Sequence, residues 1–134
     1  MSTAQKSYTE ALPRIAGSKH VLLTTFRKNG NPVATPVGSL VDNGTVYVLT
    51  DPTTGKVKRI RNSSQVTIAP CTMSGAIPHG APTVHATAQL LDTQETARVQ
   101  NLMKRRFLMY RLVNLLDRTL RRQRPLVAIA ITAT

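Results

Sequence analysis

The sequence contains no tryptophan, only two phenylalanines and three tyrosines, and a single cysteine, Cys71. So few aromatic residues argue against a platform that stacks the bases of single-stranded nucleic acid. One cysteine excludes an internal disulfide framework and a zinc site built from several thiolates. The polar start, MSTAQKSYTE, lacks the apolar core of a secretory signal, and no apolar run approaches the roughly 18 residues that span a bilayer. We therefore expect a cytoplasmic protein in a reducing environment.

Acidic residues are also scarce. Six Asp and Glu stand against 18 Lys and Arg, which gives a formal net charge of +12 over 134 residues. The scattered carboxylates form no close pair for glycoside hydrolysis or acid–base chemistry. The sequence also has no nucleophile elbow, zinc-protease helix, Walker A loop or dinucleotide-binding glycine motif. Such a basic chain attracts polyanions, which include nucleic acid, anionic lipid and small molecules with phosphate or carboxylate groups.

Histidine and cysteine offer little further chemistry. His20, His79 and His85 lack the usual spacing of metal ligands, and we predict no metal site. His79 is expected on a surface loop, and the other two histidines on strands. Cys71 follows Pro70 in a predicted strand. Burial as a small apolar residue is favoured over a reactive thiolate, because free cysteine is commonly buried.

Short strands separated by turn residues dominate the chain. The predicted strands are 20–28, 32–41, 45–50, 65–72, 83–91 and 126–134. The turn clusters NGNP and DNG make the first three an antiparallel meander, and the two prolines of the second strand indicate an edge or a bulge. Strand 83–91 alternates cleanly, with Val84, Ala86, Ala88 and Leu90 on one face. Six largely antiparallel strands with few helices predict a small, mainly β barrel.

Helical signals occur in three places. Residues 8–16 predict a short helix interrupted at Pro13, within an N-terminal lead-in of residues 1–17. A short helix is predicted within 51–62. Residues 92–124 predict a long helical segment that Asp92 or Thr93 caps, with a bend at 104–106. No internal repeat or linker interrupts the sequence, so we expect a single domain over residues 1–134.

The helix within 51–62 has an unusual charge pattern. It begins near Gly55, and Lys56 and Lys58 lie in its first turn, where each cation opposes the helix macrodipole at a cost of about 0.3–1 kcal/mol. An anion at the helix N-terminus would remove that cost. Backbone N–H groups, two ammonium groups and the hydroxyls of Thr53 and Thr54 would then converge on it. A solvated basic connector is the alternative interpretation, and the residue chemistry leaves both open.

The order of the motifs VLLTTFRKNGNPVATPV, VYVLTD and TGKVKRIRNSSQVTIAPCT resembles the flavin and deazaflavin oxidoreductases of the split β-barrel fold, the pyridoxamine-phosphate-oxidase-like proteins. The similarity covers about residues 18–133, and GKVKRIRN followed by VTIAPC is its most specific part. It is greatest to the branch that uses coenzyme F420, a deazaflavin. The resemblance implies an antiparallel, FMN-binding-like split barrel, and a homodimer that holds the cofactor at the subunit interface.

Residue by residue, the resemblance also implies a cofactor site. The phosphate would lie against the end of the third strand and the basic helix that follows, and the ring against the second strand, with strand 65–72 nearby. The implied cofactor-binding residues are Thr35, Pro36, Val37, Thr50, Lys56, Lys58, Arg59, Asn62, Pro70 and Cys71. Relatives often carry a bulky aromatic residue where this chain has Gly38-Ser39. We therefore expect a different substrate pocket here.

The expected activity is hydride transfer from reduced F420 to an unsaturated or conjugated small molecule. Because reduced deazaflavin donates a hydride, the protein need only bind, orient and desolvate the ring. An FMN-binding oxidase or reductase is one alternative, since both cofactors carry a phosphorylated ribityl chain. The other is a non-enzymatic basic module that carries a cofactor or binds nucleic acid or an anionic membrane. Nucleic acid is not expected, because aromatic residues are few and no helix-turn-helix or RNA-binding signature is present.

The predicted helical segment 98–124 carries much of the positive charge. It contains nine Lys and Arg residues, and Asp117 is the only acidic residue among them. A solvated helical face is the favoured interpretation. Peripheral contact with an anionic membrane, nucleic acid and the anionic tail of the cofactor are the alternatives.

Overall fold

The computed structural model describes residues 2–106 and 126–134. Its elements, in chain order, are α1 (Thr3–Ala16), β1 (His20–Phe26), β2 (Pro32–Asp42), β3 (Thr45–Thr50), α2 (Gly55–Asn62), β4 (Gln65–Cys71), β5 (Val84–Leu90), α3 (Thr93–Arg106) and β6 (Val127–Ala133). All six predicted strands are present, and their ends differ from the prediction by no more than two residues. The predicted helix beyond Arg106 lies outside the described residues. None of the described helices is both long and apolar enough to cross a membrane.

The six antiparallel strands close into a barrel in the order β1-β2-β3-β6-β5-β4, which confirms the predicted architecture. Alternate residues of each strand face the interior, because successive side chains point to opposite faces of a sheet. In β1, for example, Val21 and Leu23 are buried, whereas Leu22 between them is only half-buried. The predicted face of β5 is likewise buried at Val84, Ala86 and Ala88. The interior is therefore an aliphatic core.

A helix lies at each end of the barrel. The β1, β3 and β5 strands end at the same side, and α2 packs there against β1 and β5 through the buried residues Val57 and Ile60. At the other side, α1 leads into β1 and packs mainly on β5. We call these two sides the α2 end and the α1 end. The α3 helix packs on β6, β3 and β2, where Val99 and Met103 contact Ala128 in a second apolar cluster.

The predicted interruption at Pro13 is wrong. The α1 helix runs without a break from Thr3 to Ala16 and contains Pro13. Tyr8, Ala11 and Ile15 form its buried face and belong to the main core. A proline inside a helix costs roughly 3 kcal/mol, but burying several apolar side chains stabilises the helix by a larger amount. The Ser2 side chain also caps the helix, which explains why it starts earlier than predicted.

The β2 strand has two halves with different partners. Residues 32–38 pair with β1, and residues 39–42 pair with β3. From Pro32 to Gly38, the side of β2 that faces away from β1 therefore has no partner strand among the described residues. We call this side the open edge. It confirms the edge that the two prolines predicted, because Pro32 and Pro36 both lie on it.

Tyr8 fixes α1 to the barrel and makes stability depend on pH. Its Oη lies 2.8 Å from Ile131 O and 2.9 Å from Gly44 O, and desolvation by burial raises the pKa of Tyr8 from 10.0 to about 12. Because the folded-state pKa is the higher one, this stabilisation is complete below pH 10 and is lost as the pH rises toward 12. The expected loss is at most about 3 kcal/mol.

Urea unfolding of the parent protein and of Tyr8→Phe between pH 8 and pH 12 measures this effect. The other groups that titrate in this range are present in both proteins, so they cancel in the difference between the two free energies of unfolding. The variant should lose about 1 kcal/mol at neutral pH, since it lacks the hydroxyl donor. The difference between the two proteins should then shrink above pH 10 and reverse its sign as the pH approaches 12. A constant difference across the range would show that Tyr8 titrates normally in the folded protein.

Candidate functional site

The start of α2 presents unpaired backbone donors. Thr54 is the N-cap residue, and no side chain caps the helix. The first N–H groups of a helix have no intrahelical partner, so those that begin at Gly55 are available to a ligand. The threonine hydroxyls behave differently from the prediction. Thr53 Oγ1 donates to Asp51 Oδ1 at 2.7 Å and Thr54 Oγ1 to Asp51 O at 2.9 Å, so both are already committed to the turn.

Arg59 brings its charge back to the start of the helix. Its Nε donates to Thr25 Oγ1 at 2.6 Å, and Thr25 is a buried residue on the inner face of β1. A Cβ placed on Gly55 would lie 2.6 Å from Arg59 Nη1, so the guanidinium occupies the space that a side chain at this position would take. The absence of a side chain at Gly55 therefore lets Arg59 reach the helix N-terminus from four residues further along.

Lys56 lies beside the guanidinium and is half-buried. Desolvation is the main cause that lowers the pKa of Lys56. The neighbouring charge of Arg59 lowers it further, and Asp51 only partly offsets both. Two half-buried cations thus lie side by side at the positive end of a helix, where an anion is favoured. Lys58 differs from Lys56, because its side chain is exposed.

The open edge of β2 provides further polar groups. The Ser39 N–H donates to Lys19 O at 3.1 Å, across the β1–β2 pair. Since antiparallel hydrogen bonds alternate in direction, the N–H groups of Thr35 and Val37 point toward β1, whereas the carbonyls of Ala34 and Pro36 point into the open edge. Pro36 has no N–H group, but its nitrogen faces the open edge, so no hydrogen bond between β1 and β2 is lost. Thr50, the last residue of β3, is buried and lies where β3 separates from β2.

The ten residues implied by the resemblance do not form one cluster. Residues directly opposite each other in antiparallel strands share a face. Thr35, Val37 and Pro70 therefore face the interior, because they pair with the inward-facing Leu23 and Val21. Pro36 and Cys71 face outward with Leu22 and His20. The start of α2 brings together Lys56 and Arg59, with Lys58 exposed on the same turn, whereas Thr50 is buried at the end of β3.

Asn62 is separated from this group. It is the last residue of α2, about 10 Å from Gly55 at the rise of an α-helix. It lines a different, open cleft of about 480 Å³ together with Phe26, Arg27, Lys28, Gly30 and Ser63. Asn62 therefore does not belong to the N-terminal anion site, although it lies on the same short helix.

Cys71 and the histidines occupy the places that the sequence predicted. Cys71 is buried with 5% of its surface exposed, and burial raises the pKa of its thiol, which makes it a poor nucleophile at neutral pH. His79 is exposed on a loop, and His20 and His85 lie on β1 and β5. Within residues 2–106 and 126–134, no three His, Cys, Asp or Glu side chains approach closely enough to hold a metal ion.

Ser39 is a polar residue inside the barrel. It is 1% exposed, and its Oγ has no hydrogen-bond partner among the described residues. Ser39→Ala should therefore raise the free energy of unfolding by about 1 kcal/mol, because it removes a buried hydroxyl that gains nothing from folding. Chemical denaturation at neutral pH measures the change. An equal or smaller free energy of unfolding in the variant would show that the hydroxyl has a partner.

Two parts of this site were not predicted from the sequence. Thr25 was expected only as a strand residue, yet it is the anchor of Arg59. The backbone groups of the open edge were not predicted either, because backbone N–H and carbonyl groups leave no pattern in the sequence. Only the prolines of the second strand, such as Pro36, indicated indirectly that this strand has an unpaired edge. Arg59 contacts Thr25, whose partner on β2 is Val33, so the start of α2 lies near the open edge. Together they can bind a phosphate or similar anion at the helix start and a planar molecule with polar edges along the strand.

The fold and this site define a class of protein, namely a small antiparallel barrel with a basic helix start near an unpaired strand edge. Comparison with known families identifies it. The family model described as pyridoxamine 5'-phosphate oxidase matches residues 9–134. The chain belongs to this family.

Solved structures show the same fold at low sequence identity. A putative pyridoxamine 5'-phosphate oxidase from Listeria innocua is 18% identical, with a TM-score of 0.61 over 94% of this chain and 92% of that one. HutZ, a heme storage protein from Vibrio cholerae, is 15% identical, with a TM-score of 0.66 over 96% and 86%. An F420 reductase is 14% identical, with a TM-score of 0.58 over 90% and 91%. A search of curated protein sequences found no match.

Proposed function

We propose that this chain binds a phosphorylated deazaflavin, coenzyme F420, and transfers a hydride from its reduced form to an unsaturated or conjugated small molecule. The observation that carries the proposal is the pair of half-buried cations, Lys56 and Arg59, at a helix start without a side-chain cap. Arg59 contacts Thr25 on β1, and the partner of Thr25 on β2 is Val33, so this helix start lies near the open edge. FMN is the alternative cofactor, since its phosphate would fit the same helix start. The presence of an F420 reductase among the structural neighbours supports F420 over FMN.

The residues present fit such a cofactor. The N–H groups at the start of α2, with Lys56 and Arg59, would bind the phosphate through charge-assisted hydrogen bonds. The carbonyls of Ala34 and Pro36 would accept hydrogen bonds from the polar edge of the ring, which places the ring along β2. When bound, the cofactor supplies the hydride, so the described residues need to bind it, orient it and exclude water.

We also propose that the protein is a homodimer with the cofactor near the subunit interface. The support is the resemblance to the family and the exposed position of the open edge, which leaves one side of a bound ring uncovered by the described residues. Multi-angle light scattering on the purified protein should give twice the monomer mass of 14.6 kDa. A monomer mass at micromolar concentration would reject the dimer without affecting the cofactor assignment.

Fluorescence titration with F420, FMN and riboflavin tests the proposed function. Riboflavin is the matched control, because it has the ring and ribityl chain of FMN but no phosphate. We expect F420 to bind with a micromolar or smaller dissociation constant, and riboflavin to bind at least roughly tenfold more weakly than FMN, since it loses a charge-assisted contact. If neither F420 nor FMN bound at micromolar concentration, the proposal would be rejected. Oxidation of bound, reduced F420 by added acceptors then tests the hydride transfer.

A further inference from the structure

The loop that follows β4 begins with a compact apolar turn. Met73 and Ile77 lie on it and are 77% and 41% exposed, the two large hydrophobic residues that remain exposed in the described part of the chain. Residues 70–78 contain no charged side chain. The two residues lie four positions apart on one turn, and exposed apolar side chains grouped in this way are a feature of binding surfaces.

The turn is held in a fixed shape. Thr72 N–H donates to Ala76 O, Gly75 N–H donates to Thr72 O, and Ala76 N–H donates to Thr72 Oγ1, at 2.9, 2.9 and 3.1 Å. Further along the loop, the Arg14 guanidinium donates to the carbonyls of His79 and Gly80 and so ties the loop to α1. Because both ends are anchored, Met73 and Ile77 are presented by a preformed structure.

The turn lies against the proposed cofactor site. A Cβ placed on Gly75 would lie 3.6 Å from Leu22 Cδ1 and 3.7 Å from Pro36 Cγ, both of which face outward from the barrel. The turn therefore covers the outer face of the strand whose open edge we assign to the ring. Gly38 lies two residues further along β2 on the same face, roughly 7 Å away at the rise of a strand.

Gly38 leaves a gap on this face. A Cβ at this position would come no closer than 4.0 Å to any atom outside its chain neighbours, and that atom is Lys19 O. His20 is its direct partner on β1, and Cys71 is the partner of His20 on β4. Ser39 is buried in the interior, so of the neighbouring residues Gly38 and Ser39 only Gly38 can shape an outer pocket.

We propose that the Met73–Ile77 turn and the gap above Gly38 form the niche that binds the hydride acceptor, and that this acceptor is an uncharged, apolar molecule. The inference rests on the proposed function and deepens it, because it names the substrate class. Gly75, which lies between Met73 and Ile77 on the turn, packs against Pro36, so a molecule bound between the turn and Gly38 would lie beside the ring position. The lack of charge on residues 70–78 gives an ionic acceptor no partner on the turn.

Binding of the uncharged apolar dye Nile red, followed by its fluorescence on the cofactor-free protein, tests the niche without using enzyme activity. The double variant Met73→Ser with Ile77→Ser should raise the dissociation constant about tenfold, since it removes apolar contact area. The conservative pair Met73→Leu with Ile77→Val should restore binding to within about twofold. Gly38→Phe should also block the dye, because its ring would fill the gap.

The outcomes separate this inference from the proposed function. F420 and FMN titrations of the serine variant should match those of the parent protein. If neither cofactor bound but the dye pattern held, the niche would stand as an apolar binding site, and its assignment to a hydride acceptor would be rejected together with the redox function. If the Met73→Ser, Ile77→Ser double variant bound the dye as tightly as the parent protein, the proposed niche would be rejected. If the double serine variant had a different oligomeric mass from the parent protein in light scattering, the niche would also be rejected, because Met73 and Ile77 would then belong to a subunit interface.

Discussion

Thr54→Asp should abolish cofactor binding and stabilise the fold at the same time. Thr54 is an N-cap residue whose side chain makes no capping hydrogen bond. Aspartate is among the best N-cap residues, and its charge is favourable at a helix N-terminus. This gain exceeds the loss of the Thr54 Oγ1–Asp51 O hydrogen bond, so the free energy of unfolding should rise by about 0.5 kcal/mol. The same carboxylate would occupy the N–H groups that we assign to the phosphate and would repel it. The dissociation constant should rise by about a hundredfold or more.

Opposite signs of the two effects make this variant informative. A variant that merely disturbed the helix would lose both stability and binding. Thr54→Asn is the matched control, because asparagine also caps but carries no charge, so its binding loss should be smaller than that of aspartate. Urea denaturation and fluorescence titration with F420 and FMN give the two measurements. Binding by the aspartate variant as tight as that of the parent would exclude the start of α2 as the phosphate site.

Lys56→Ala should weaken cofactor binding by roughly ten- to a hundredfold, the range expected when one charge-assisted hydrogen bond of about 1.5–3 kcal/mol is lost. Lys58→Ala should weaken it by less than about fivefold, since an exposed charge contributes about 1 kcal/mol or less. The difference follows from burial, because Lys56 is half-buried beside Arg59 whereas Lys58 is exposed. Equal effects of the two substitutions would show that the phosphate does not lie on the Lys56 side of the helix.

Lys6→Ala is the matched control for these two variants. Lys6 is an exposed lysine on α1, the helix at the other end of the barrel, so its removal should leave binding unchanged. The pH dependence gives an independent check. Burial lowers the pKa of Lys56, so its charge is lost at a lower pH than that of an ordinary lysine. Affinity should fall as the pH rises through that range in the parent protein, and this part of the fall should be absent in Lys56→Ala.

The fold was largely predictable because its signals are local. Alternation in 83–91 and the turn cluster DNG at residues 42–44 each act over a few residues, and six such strands predict a barrel without knowledge of the pairing. Pro13 shows where local reasoning fails. The cost of a proline in a helix is visible in the sequence, but the burial of Tyr8, Ala11 and Ile15 that outweighs it depends on the barrel beneath them.

The site was predictable only in its charges. Lys56 at the start of a short basic helix is a local feature, and it made an anion site one of the two interpretations that the residue chemistry allowed. The sequence alone could not show that Pro70 and Cys71 face opposite sides, that Asn62 lines a separate cleft, or that both threonine hydroxyls are committed to Asp51. Each of these depends on which strands pair and where a turn closes.

The sequence by itself therefore determined the strands, the basic helix and the attraction to an anion, because periodicity, turn chemistry and charge act between neighbours along the chain. The tertiary structure decided which groups meet. It placed Arg59 on Thr25, left one edge of β2 unpaired beside the start of α2, and set the Met73–Ile77 turn against Pro36. These contacts join residues far apart in sequence, and they are fixed only when burial of the aliphatic core closes the barrel.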